Sequence, residues 1–443
     1  MPGPQVVPFE GDAKLPSRVD VVVIGGGIIG TSTALELAER GVSVALCEKG
    51  GIAQEQSSRN WGWVRISRRD VREIPLMAES LRIWDGMDVR LGRSTGFKRS
   101  GIIFTCANDR EYADHERWGR NLEGYHLGHK MLSGSALRAL LPGADLNVTG
   151  ALYTPMDGRA EPQKAAPAIA EAARERGAHI MTRCAVRGIE TAGGAVSGVV
   201  TERGMITCQS VVMAGGGWTR LLANTLGIDL PQLNVLNSVL RTAPLEGGPD
   251  QALWARDFAT RKREDGGYNV ASGHANIVDI VPASFRYATA YLPAMTQNWR
   301  SLSLRLGGRF VEEARTPKNW RLDEVSPFER CRVLDPTPST KMTDRPFEAL
   351  KLAFPVFQQA SVVQRWAGYM DVTPDAVPVI SRVDAMRGLH IATGFSGHGF
   401  GIGPAAGRLM ADIVTNQTPL VDPRAFRLSR FFDGSKIELL SGF

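Results

Sequence analysis

The pattern of apolar and polar residues is clearest over residues 19–48. A run of four apolar residues, Val21–Ile24, is followed by three consecutive glycines and then by apolar residues at helical spacing over residues 31–40. A second apolar run over residues 42–47 ends at the acidic Glu48. Short apolar runs on either side of a segment with helical periodicity are typical of a strand, a helix and a second strand. The pattern therefore predicts a β–α–β unit at the start of the chain.

The glycines at the first strand–helix junction have the spacing G-x-G-x-x-G. Gly25 permits a tight turn, Gly27 has no Cβ and allows close approach of a pyrophosphate, and Gly30 lets the helix pack close to the strand. The helix N-terminus directs free N–H groups toward the phosphates. Glu48 is placed to accept hydrogen bonds from ribose hydroxyls. We therefore expect an adenine dinucleotide site, although this unit alone leaves FAD, NAD and a glycine-rich turn of an unrelated α/β protein open.

Further patterns divide the rest of the chain. A helix is predicted over residues 74–91, and a helix that starts at Pro162 is followed by four predicted strands. A helical segment is predicted over residues 288–307, within a region of antiparallel strands. The chain closes with a strand, a five-glycine loop over residues 394–403 and a helix started by Pro404. The predicted domains are a dinucleotide-binding domain in three pieces, residues 18–92, 154–232 and 363–430, and a substrate domain in two, residues 93–153 and 233–362.

Length and composition narrow the class of protein. The 443 residues suffice for two domains, and 43% hydrophobic with 22% charged residues is typical of a globular protein. The net charge of +6 comes from dispersed basic residues, which argues against a nucleic-acid footprint and favours anionic ligands. We expect no signal peptide and no membrane span. Five scattered cysteines without a C-x-x-C pair predict reduced thiols, a cytoplasmic location and no metal site.

Three other segments contain small or polar residues that could approach a ligand. The polar loop at residues 57–60, with the sequence Ser-Ser-Arg-Asn, could wrap a diphosphate or be an ordinary surface loop. A predicted buried strand ends in the glycines of residues 214–218. The five-glycine loop leads into a helix and so offers a second helix N-terminus to an anion or dipole.

The order of these motifs resembles the flavoprotein family of D-amino acid oxidase, glycine oxidase and sarcosine oxidase. The resemblance rests on the first glycine motif, residues 214–218, Thr-Pro-Asp at residues 373–375 and the five-glycine loop. It implies an α/β fold, α+β overall, in which a Rossmann-like FAD-binding domain in three pieces carries an inserted substrate domain with a mixed or antiparallel sheet. The FAD-binding residues that it implies are Gly25, Gly27, Ile28, Ile29, Gly30, Glu48, Lys49, Ser57, Ser58, Arg59, Asn60, Trp61, Val186, Ala214, Gly215, Trp218, Gly397, Gly399, Phe400, Gly401 and Ile402.

Three positions depart from the family pattern. Gly368 occupies the position of the cysteine that holds the flavin covalently in sarcosine oxidases, so we expect non-covalent FAD. Met370 stands where relatives have an arginine that holds the substrate carboxylate, and Gly401 stands where sarcosine oxidases have a lysine. The resemblance then assigns the carboxylate to Arg65 and places His398 on the substrate side, so both are candidate catalytic residues. A phosphate or surface role for Arg65 and a purely structural role for His398 are the alternatives.

The resemblance implies oxidation of a C–N bond next to a carboxylate, with hydride transfer to the flavin and hydrolysis of the resulting imine. We expect an amino acid or N-substituted amino acid as substrate, such as a D-amino acid, sarcosine or iminodiacetate, and O2 or an unidentified electron acceptor. The alternatives are an NAD-dependent dehydrogenase and a non-catalytic FAD-holding subunit of an amine dehydrogenase complex. The oligomeric state stays open. Residues of the inserted domain that could shape the pocket are Tyr268, His274, Arg286, Tyr287 and Tyr291.

Overall fold

The structure, a computed structural model, describes residues 3–299 and 301–440. Its helices are α1 (Ile28–Glu39), α2 (Gln56–Arg59), α3 (Ile74–Leu91), α4 (Asp109–Gly119), α5 (Gly134–Leu140), α6 (Pro162–Glu175), α7 (Thr219–Thr225), α8 (Pro282–Arg286), α9 (Ala288–Asn298), α10 (Gly308–Arg315), α11 (Pro327–Arg330), α12 (Thr340–Ala353) and α13 (Gly399–Val414). Its strands are β1 (Val21–Ile24), β2 (Val44–Cys47), β3 (Trp63–Val64), β4 (Lys98–Arg99), β5 (Ile102–Cys106), β6 (Lys130–Ser133), β7 (Gly150–Thr154), β8 (Gly158–Arg159), β9 (His179–Met181), β10 (Val186–Ala192), β11 (Ala195–Thr201), β12 (Gly204–Thr207), β13 (Ser210–Met213), β14 (Leu233–Thr242), β15 (Ala252–Trp254), β16 (Ala259–Lys262), β17 (Tyr268–Ala271), β18 (Asn276–Asp279), β19 (Leu302–Arg305), β20 (Val362–Val372), β21 (Val379–Arg382) and β22 (Leu389–Thr393). None of these helices is both long enough and apolar enough to cross a membrane.

The first sheet has six strands in the order β21-β22-β13-β1-β2-β9. All neighbouring strands are parallel except β21 and β22. Strands β1, β2 and β13 are mostly buried, as expected for a parallel sheet that is covered on both faces. Because the strand order reverses at β1, the carboxyl end of this strand lies at a crevice where ligands bind in folds of this kind.

Helices α1, α6 and α13 cover one face of this sheet, and α1 packs against the other two. The backbones of α1 and α13 approach each other closely at Gly407, where an added Cβ would lie 2.5 Å from the Cβ of Ser32. The absence of a side chain at Gly407 is what allows this approach. The positions of the two helices are therefore coupled along their length.

The second large sheet has ten strands, and most of its neighbouring pairs are antiparallel. Nine of them follow the order β19-β18-β14-β17-β16-β15-β5-β7-β6, and β20 pairs along the length of β14. The six-stranded sheet takes its strands from the three segments predicted for the dinucleotide-binding domain. Strand β20 belongs to the ten-stranded sheet, although nearly all of its residues fall in the third of those segments. The domain boundaries stay predictions.

Two predictions about elements are wrong. The helix predicted over residues 288–307 ends at Asn298, because Leu302–Arg305 pairs in parallel with β18 as a strand. The helix predicted to start at Pro404 begins five residues earlier at Gly399, so that Pro404 lies inside it. The prediction for residues 74–91 is confirmed by α3, which spans Ile74–Leu91.

Candidate active site

The first glycine turn lies at the carboxyl end of β1, where α1 begins. Gly25 has a φ of 115°, and its N–H donates to the carbonyl of Cys47 at 2.9 Å. A Cβ at this position would collide with the carbonyl oxygen of Ala214. The N–H of Ile28, the first residue of α1, donates to the hydroxyl of Ser57 at 2.9 Å. The turn therefore presents backbone without side chains, and a helix N-terminus, to the crevice.

Glu48 follows β2 and lies beside this turn. Its Oε2 accepts a hydrogen bond from the N–H of Gly26 at 2.6 Å, and its Oε1 accepts one from the N–H of Gly50 at 2.7 Å. Burial raises the pKa of Glu48, while Lys49 and the two backbone donors act in the opposite direction. The backbone therefore holds the carboxyl group at the position where a dinucleotide-binding fold contacts the ribose.

The polar loop that was predicted to face the pyrophosphate places one hydroxyl at the helix N-terminus, that of Ser57. Ser58 is buried, and its hydroxyl donates to the carbonyl of Glu55 at 3.2 Å. The side-chain amide of Asn60 donates to the carbonyl of Ser57 at 2.9 Å. Ser58 and Asn60 thus shape the loop, and the hydroxyl of Ser57 accepts a hydrogen bond from the N–H at the start of α1.

Arg59 is buried and its charge is already paired. Its Nη1 donates to the carboxylate of Asp335 at 2.6 Å and to the carbonyl of Ala367 at 2.8 Å. A Cβ on Gly368 would lie 3.1 Å from the Cβ of Arg59. Gly368 therefore makes room for the arginine side chain, and the guanidinium is held by protein groups.

Lys49 and Trp218 form a small polar cluster with Glu55. The ammonium group of Lys49 lies 4.2 Å from the centre of the Trp218 ring. Glu55 accepts hydrogen bonds from Lys49 Nζ at 2.8 Å and from Trp218 Nε1 at 3.0 Å. Other predicted cofactor residues that line the cavity at this end are Val186, Ala214 and Gly215.

The five-glycine loop turns directly into α13. Gly397 has a φ of 80°, and His398 is the N-cap residue of the helix. The helix N-terminus, with Gly399 and Phe400, faces the cavity that the first glycine turn also lines. Two helix N-termini therefore meet at one cavity, as the sequence pattern predicted.

Gly401 packs tightly against α3 and β3. Its carbonyl accepts hydrogen bonds from Ser80 Oγ at 2.7 Å and from Trp84 Nε1 at 2.8 Å. A Cβ on Gly401 would lie 3.1 Å from the carbonyl oxygen of Trp63 and 3.1 Å from the Cα of Val64. A side chain at position 401 would therefore place its Cβ in tight contact with the backbone of β3, which would have to shift to accept it.

Both glycine turns open onto one cavity of about 1010 Å³. Pockets for drug-sized ligands occupy about 300–1,000 Å³, so this volume is large enough for a dinucleotide. The predicted site residues that line it are Gly25, Gly27, Ile28, Ile29, Glu48, Lys49, Ser57, Arg59, Asn60, Trp61, Arg65, Val186, Ala214, Gly215, Trp218, Gly397, His398, Gly399, Phe400 and Gly401. Three other predicted residues are buried outside the lining, namely Gly30, Ser58 and Ile402.

Arg65 lines the cavity just after β3. Its Nη1 donates to the carbonyl of Ser67, and its guanidinium lies 5.6 Å from the centre of the Phe104 ring. Burial and the neighbouring Arg69 lower the pKa of Arg65 to about 9, and more distant carboxylates oppose this shift. Within residues 3–299 and 301–440, Arg65 has no carboxylate at ion-pair distance. A half-buried guanidinium that faces a cavity and has no carboxylate partner is suited to binding an anionic ligand.

His398 is buried beside the carboxylate of Glu73. Its Nδ1 lies 3.6 Å from Glu73 Oε2, which is longer than a normal hydrogen bond. Burial lowers the pKa of His398. The positive charges of Arg69 and Arg65 lower this pKa further, and the carboxylate of Glu73 opposes the shift. Burial alone would raise the pKa of Glu73, but His398 and Arg69 lower it to about 2. The arrangement at neutral pH is therefore a neutral imidazole next to a carboxylate.

Aromatic rings form the cavity wall on the side of the ten-stranded sheet. The ring centroids of Trp61 and Trp254 lie 5.5 Å apart, those of Trp63 and Phe104 lie 6.2 Å apart, and Phe104 stacks on Trp254 at 5.5 Å. The Nε1 of Trp254 donates to Nε2 of His274 at 3.4 Å. Such a wall is suited to an apolar or aromatic group of a ligand.

Of the five inserted-domain residues that could shape the pocket, His274 lines the cavity. Tyr268 belongs to a hydrophobic core under the ten-stranded sheet. The side chains of Arg286, Tyr287 and Tyr291 bond to protein groups outside the cavity lining. No local pattern separates these residues, because tyrosine, histidine and arginine occur both in packed regions and in pockets.

Sequence reasoning missed four residues at this site. Arg69 and Glu73 have the spacing of an i, i+4 ion pair directly before a predicted helix, which is a usable signal. Phe104 and Trp254 lie on β5 and β15, which pair in parallel although they are far apart in the chain. No local pattern brings them together.

The sequence pattern of the family described as DAO, FAD dependent oxidoreductase, matches residues 20–413. The chain belongs to this family. This assignment confirms the suspected resemblance, the Rossmann-like fold and FAD as the cofactor, and it sets the NAD-dependent alternative aside. The turns without side chains, the two helix N-termini and Glu48 fit FAD. The roles of individual residues stay predictions. Among the residues described, no group of His, Cys, Asp and Glu is placed to hold a metal ion.

Three relatives show how this flavoprotein compares with known proteins. The L-amino acid deaminase of Proteus myxofaciens, solved in complex with anthranilate, has 35% sequence identity and a TM-score of 0.93, and the match covers 97% of each chain. The sarcosine oxidase subunit beta of Rhizobium meliloti (strain 1021) is 25% identical over 95% of this chain and 90% of that protein. Mitochondrial sarcosine dehydrogenase of Mus musculus is 24% identical over 97% of this chain but 43% of that protein, so the chain spans less than half of this relative.

Proposed function

We propose that this flavoprotein oxidises the C–N bond of an α-amino acid that carries one carboxylate and an apolar or aromatic side chain. The observation that carries the proposal is Arg65, a guanidinium without a counter-ion among the described residues, in the cavity that the dinucleotide-binding turns also line. Of the three arginines in residues 65–69, Arg68 pairs with Asp114 at 3.0 Å and Arg69 pairs with Glu73 at 2.8 Å. Of these three arginines, Arg65 alone has no carboxylate partner among the described residues, and we assign one substrate carboxylate to it.

The cofactor end of the cavity is assigned to backbone groups and one acid. The Gly25 and Gly27 turn and the N-terminus of α1 would hold the pyrophosphate, with Ser57 beside it, and Glu48 would contact the ribose. The backbone N–H groups at the N-terminus of α13 would face the negative charge of the reduced flavin. When bound, FAD supplies the acceptor for a hydride from the carbon next to nitrogen.

The substrate end is assigned to Arg65, His398 and the aromatic wall. Arg65 binds the carboxylate, and the rings of Trp61, Trp63, Phe104 and Trp254 contact the side chain. The neutral imidazole of His398 accepts a proton from the substrate nitrogen, because its lowered pKa keeps it unprotonated at neutral pH. Loss of a hydride from carbon and a proton from nitrogen leaves an imine, which water converts to a 2-oxo acid and ammonia or an amine.

An anaerobic panel of substrates tests the proposal. The holoenzyme is mixed with L- and D-phenylalanine, leucine, alanine, glutamate, sarcosine and iminodiacetate, and loss of the oxidised flavin absorbance is followed. We expect one stereoisomer of phenylalanine or leucine to reduce the flavin faster than glutamate or iminodiacetate does. Phenylethylamine, which lacks the carboxylate, is the matched control and should react poorly. Faster reduction by the control amine would contradict the role of Arg65.

The electron acceptor and the alternative reading are tested with the same preparation. Oxygen consumption with peroxide release on addition of the best substrate would identify O2 as the acceptor, whereas turnover with an artificial dye alone would identify another acceptor. A flavin that no amine of the panel reduces would indicate a non-catalytic FAD-holding subunit and would overturn the proposal.

A further inference from the structure

Arg69 connects the two candidate substrate-binding residues through main-chain groups. Its Nε donates to the carbonyl of Arg65 at 2.8 Å, and its Nη2 donates to the carbonyl of His398 at 3.0 Å. Its Nη1 donates to Glu73 Oε2 at 2.8 Å. The side chain is 2% exposed, so none of these bonds competes with bulk water. One planar guanidinium therefore binds three separate parts of the site.

The position of Arg69 is itself fixed from two sides. Its own carbonyl accepts a hydrogen bond from Trp118 Nε1 at 3.0 Å. Glu73 is fully buried, precedes the first residue of α3, and accepts from Arg69 while it faces Nδ1 of His398. The pair of Arg69 and Glu73, called the clamp below, thus lies at the start of a long helix. Such a helix is a rigid support for a binding site.

We propose that Arg69 is a positioning residue that fixes Arg65 relative to His398, and that Glu73 orients both Arg69 and the His398 imidazole. The inference rests on the proposed function, because it assumes that Arg65 binds the substrate carboxylate. Arg69 would not contact the substrate. Its effect would pass through the backbone of residues 65 and 398, whose side chains must meet the same small molecule.

The chemistry of arginine explains why this residue type is needed. A guanidinium presents five donors in a fixed plane and can serve two carbonyls and a carboxylate at once. A lysine would keep the positive charge opposite Glu73 but could not hold both carbonyls in the same geometry. Arg69→Lys therefore separates positioning from charge neutralisation.

A buried ion pair is weak evidence for stability by itself. Replacing both partners of such a pair by apolar residues of similar size is often neutral or stabilising, whereas removing one partner leaves an unpaired buried charge. The double substitution Arg69→Met with Glu73→Met therefore removes the clamp without creating such a charge. If the pair serves positioning, this variant should fold and retain FAD but bind carboxylates poorly.

The test uses the holoenzyme and benzoate, whose ring and carboxylate match the aromatic wall and Arg65. The Kd of benzoate is measured from the change in flavin absorbance for the wild type, Arg69→Lys and the double variant, together with Tm and FAD content. Without Arg69 in place, Arg65 should no longer be held in the geometry of a charge-assisted hydrogen bond to the carboxylate. The Kd of benzoate is therefore expected to rise about 10-fold to 100-fold in both variants. With a reactive amino acid, KM should rise more than kcat falls in Arg69→Lys.

The matched control is Arg82→Lys, since Arg82 lies on α3, is 65% exposed and pairs with Glu79. This control should leave the Kd unchanged. A benzoate Kd within about twofold of wild type in Arg69→Lys or in the folded double variant would overturn the proposal. Failure of the double variant to fold or to hold FAD would show that the pair serves the fold, and would overturn it as well. If benzoate binding depends on Arg69 but no amino acid reduces the wild-type flavin, the proposed function fails and the positioning role stands.

Discussion

Gly407→Ala tests the coupling between the two helices that begin at the FAD cavity. An added Cβ would lie 2.5 Å from Ser32 Cβ, 2.6 Å from the Ser32 carbonyl carbon and 2.7 Å from the backbone nitrogen of Thr33. Two of these three atoms belong to the backbone of α1, so the obstacle cannot move by changing a rotamer. The substitution must push α1 and α13 apart.

The expected cost follows from two opposing effects. Overpacking of a well-packed core costs about 1–3 kcal/mol, and the upper value applies here because the backbone is in the way. Alanine in place of glycine in a helix stabilises by roughly 0.5–1 kcal/mol. The net loss in the free energy of unfolding is therefore about 2 kcal/mol. At roughly 2 °C per kcal/mol for a large domain, Tm should fall by roughly 4 °C.

Gly86→Ala is the matched control for this prediction. Gly86 lies in α3, is exposed, and has no atom within 4 Å of an added Cβ. It should therefore raise Tm by roughly 1–2 °C through helix propensity alone. Thermal unfolding is followed by circular dichroism and by the flavin fluorescence that appears on FAD release. Because α1 and α13 both start at the cavity, Gly407→Ala should also release FAD at a lower temperature than the wild type. A Tm for Gly407→Ala equal to or above that of the wild type would refute the packing argument.

Four other outcomes are expected. Arg65→Ala should raise the KM for the best amino acid about 10-fold to 100-fold because a charge-assisted pair is lost, with FAD content unchanged; an unchanged KM would exclude the carboxylate role. The acid limb of the kcat/KM profile should lie below the ordinary histidine pKa of about 6.5, because burial, with Arg69 and Arg65, lowers the pKa of His398. Glu73→Gln should move that limb to still lower pH, because the opposing carboxylate is gone, and a shift to higher pH would contradict this assignment. Acid precipitation should release all of the flavin into the supernatant, because Gly368 cannot form a covalent bond to it; yellow colour on the precipitated protein would disprove non-covalent binding.

Local patterns predicted the cofactor end of the molecule well. The apolar runs around the first glycine motif became β1, α1 and β2, and the helical spacing of α3 gave both of its bounds. The C-terminal bound is explained by Gly92, which caps α3 with a φ of 63°. These features depend on neighbours in sequence, so periodicity and glycine placement are sufficient to predict them.

The two wrong predictions have different causes. Residues 302–305 have no strand partner nearby in sequence and become β19 because β18 offers a free edge. The start of α13 depends on how Gly397 and His398 turn beside α3, and Pro404 gave a misleading signal because proline is common in first helical turns. Pairing across the chain overrode local preference in the first case, and loop geometry did so in the second.

The sequence by itself determined a dinucleotide-binding unit, a second glycine turn and, through their order, a flavoprotein. It also singled out Arg65 and His398. Only the tertiary structure decided that Arg69 binds the backbone of both, that position 401 packs tightly against the backbone of β3, and that Phe104 and Trp254 form one wall. The reason is physical: glycine turns and helix starts are set by local backbone preferences, whereas a substrate pocket is made of side chains that meet because distant segments pack together.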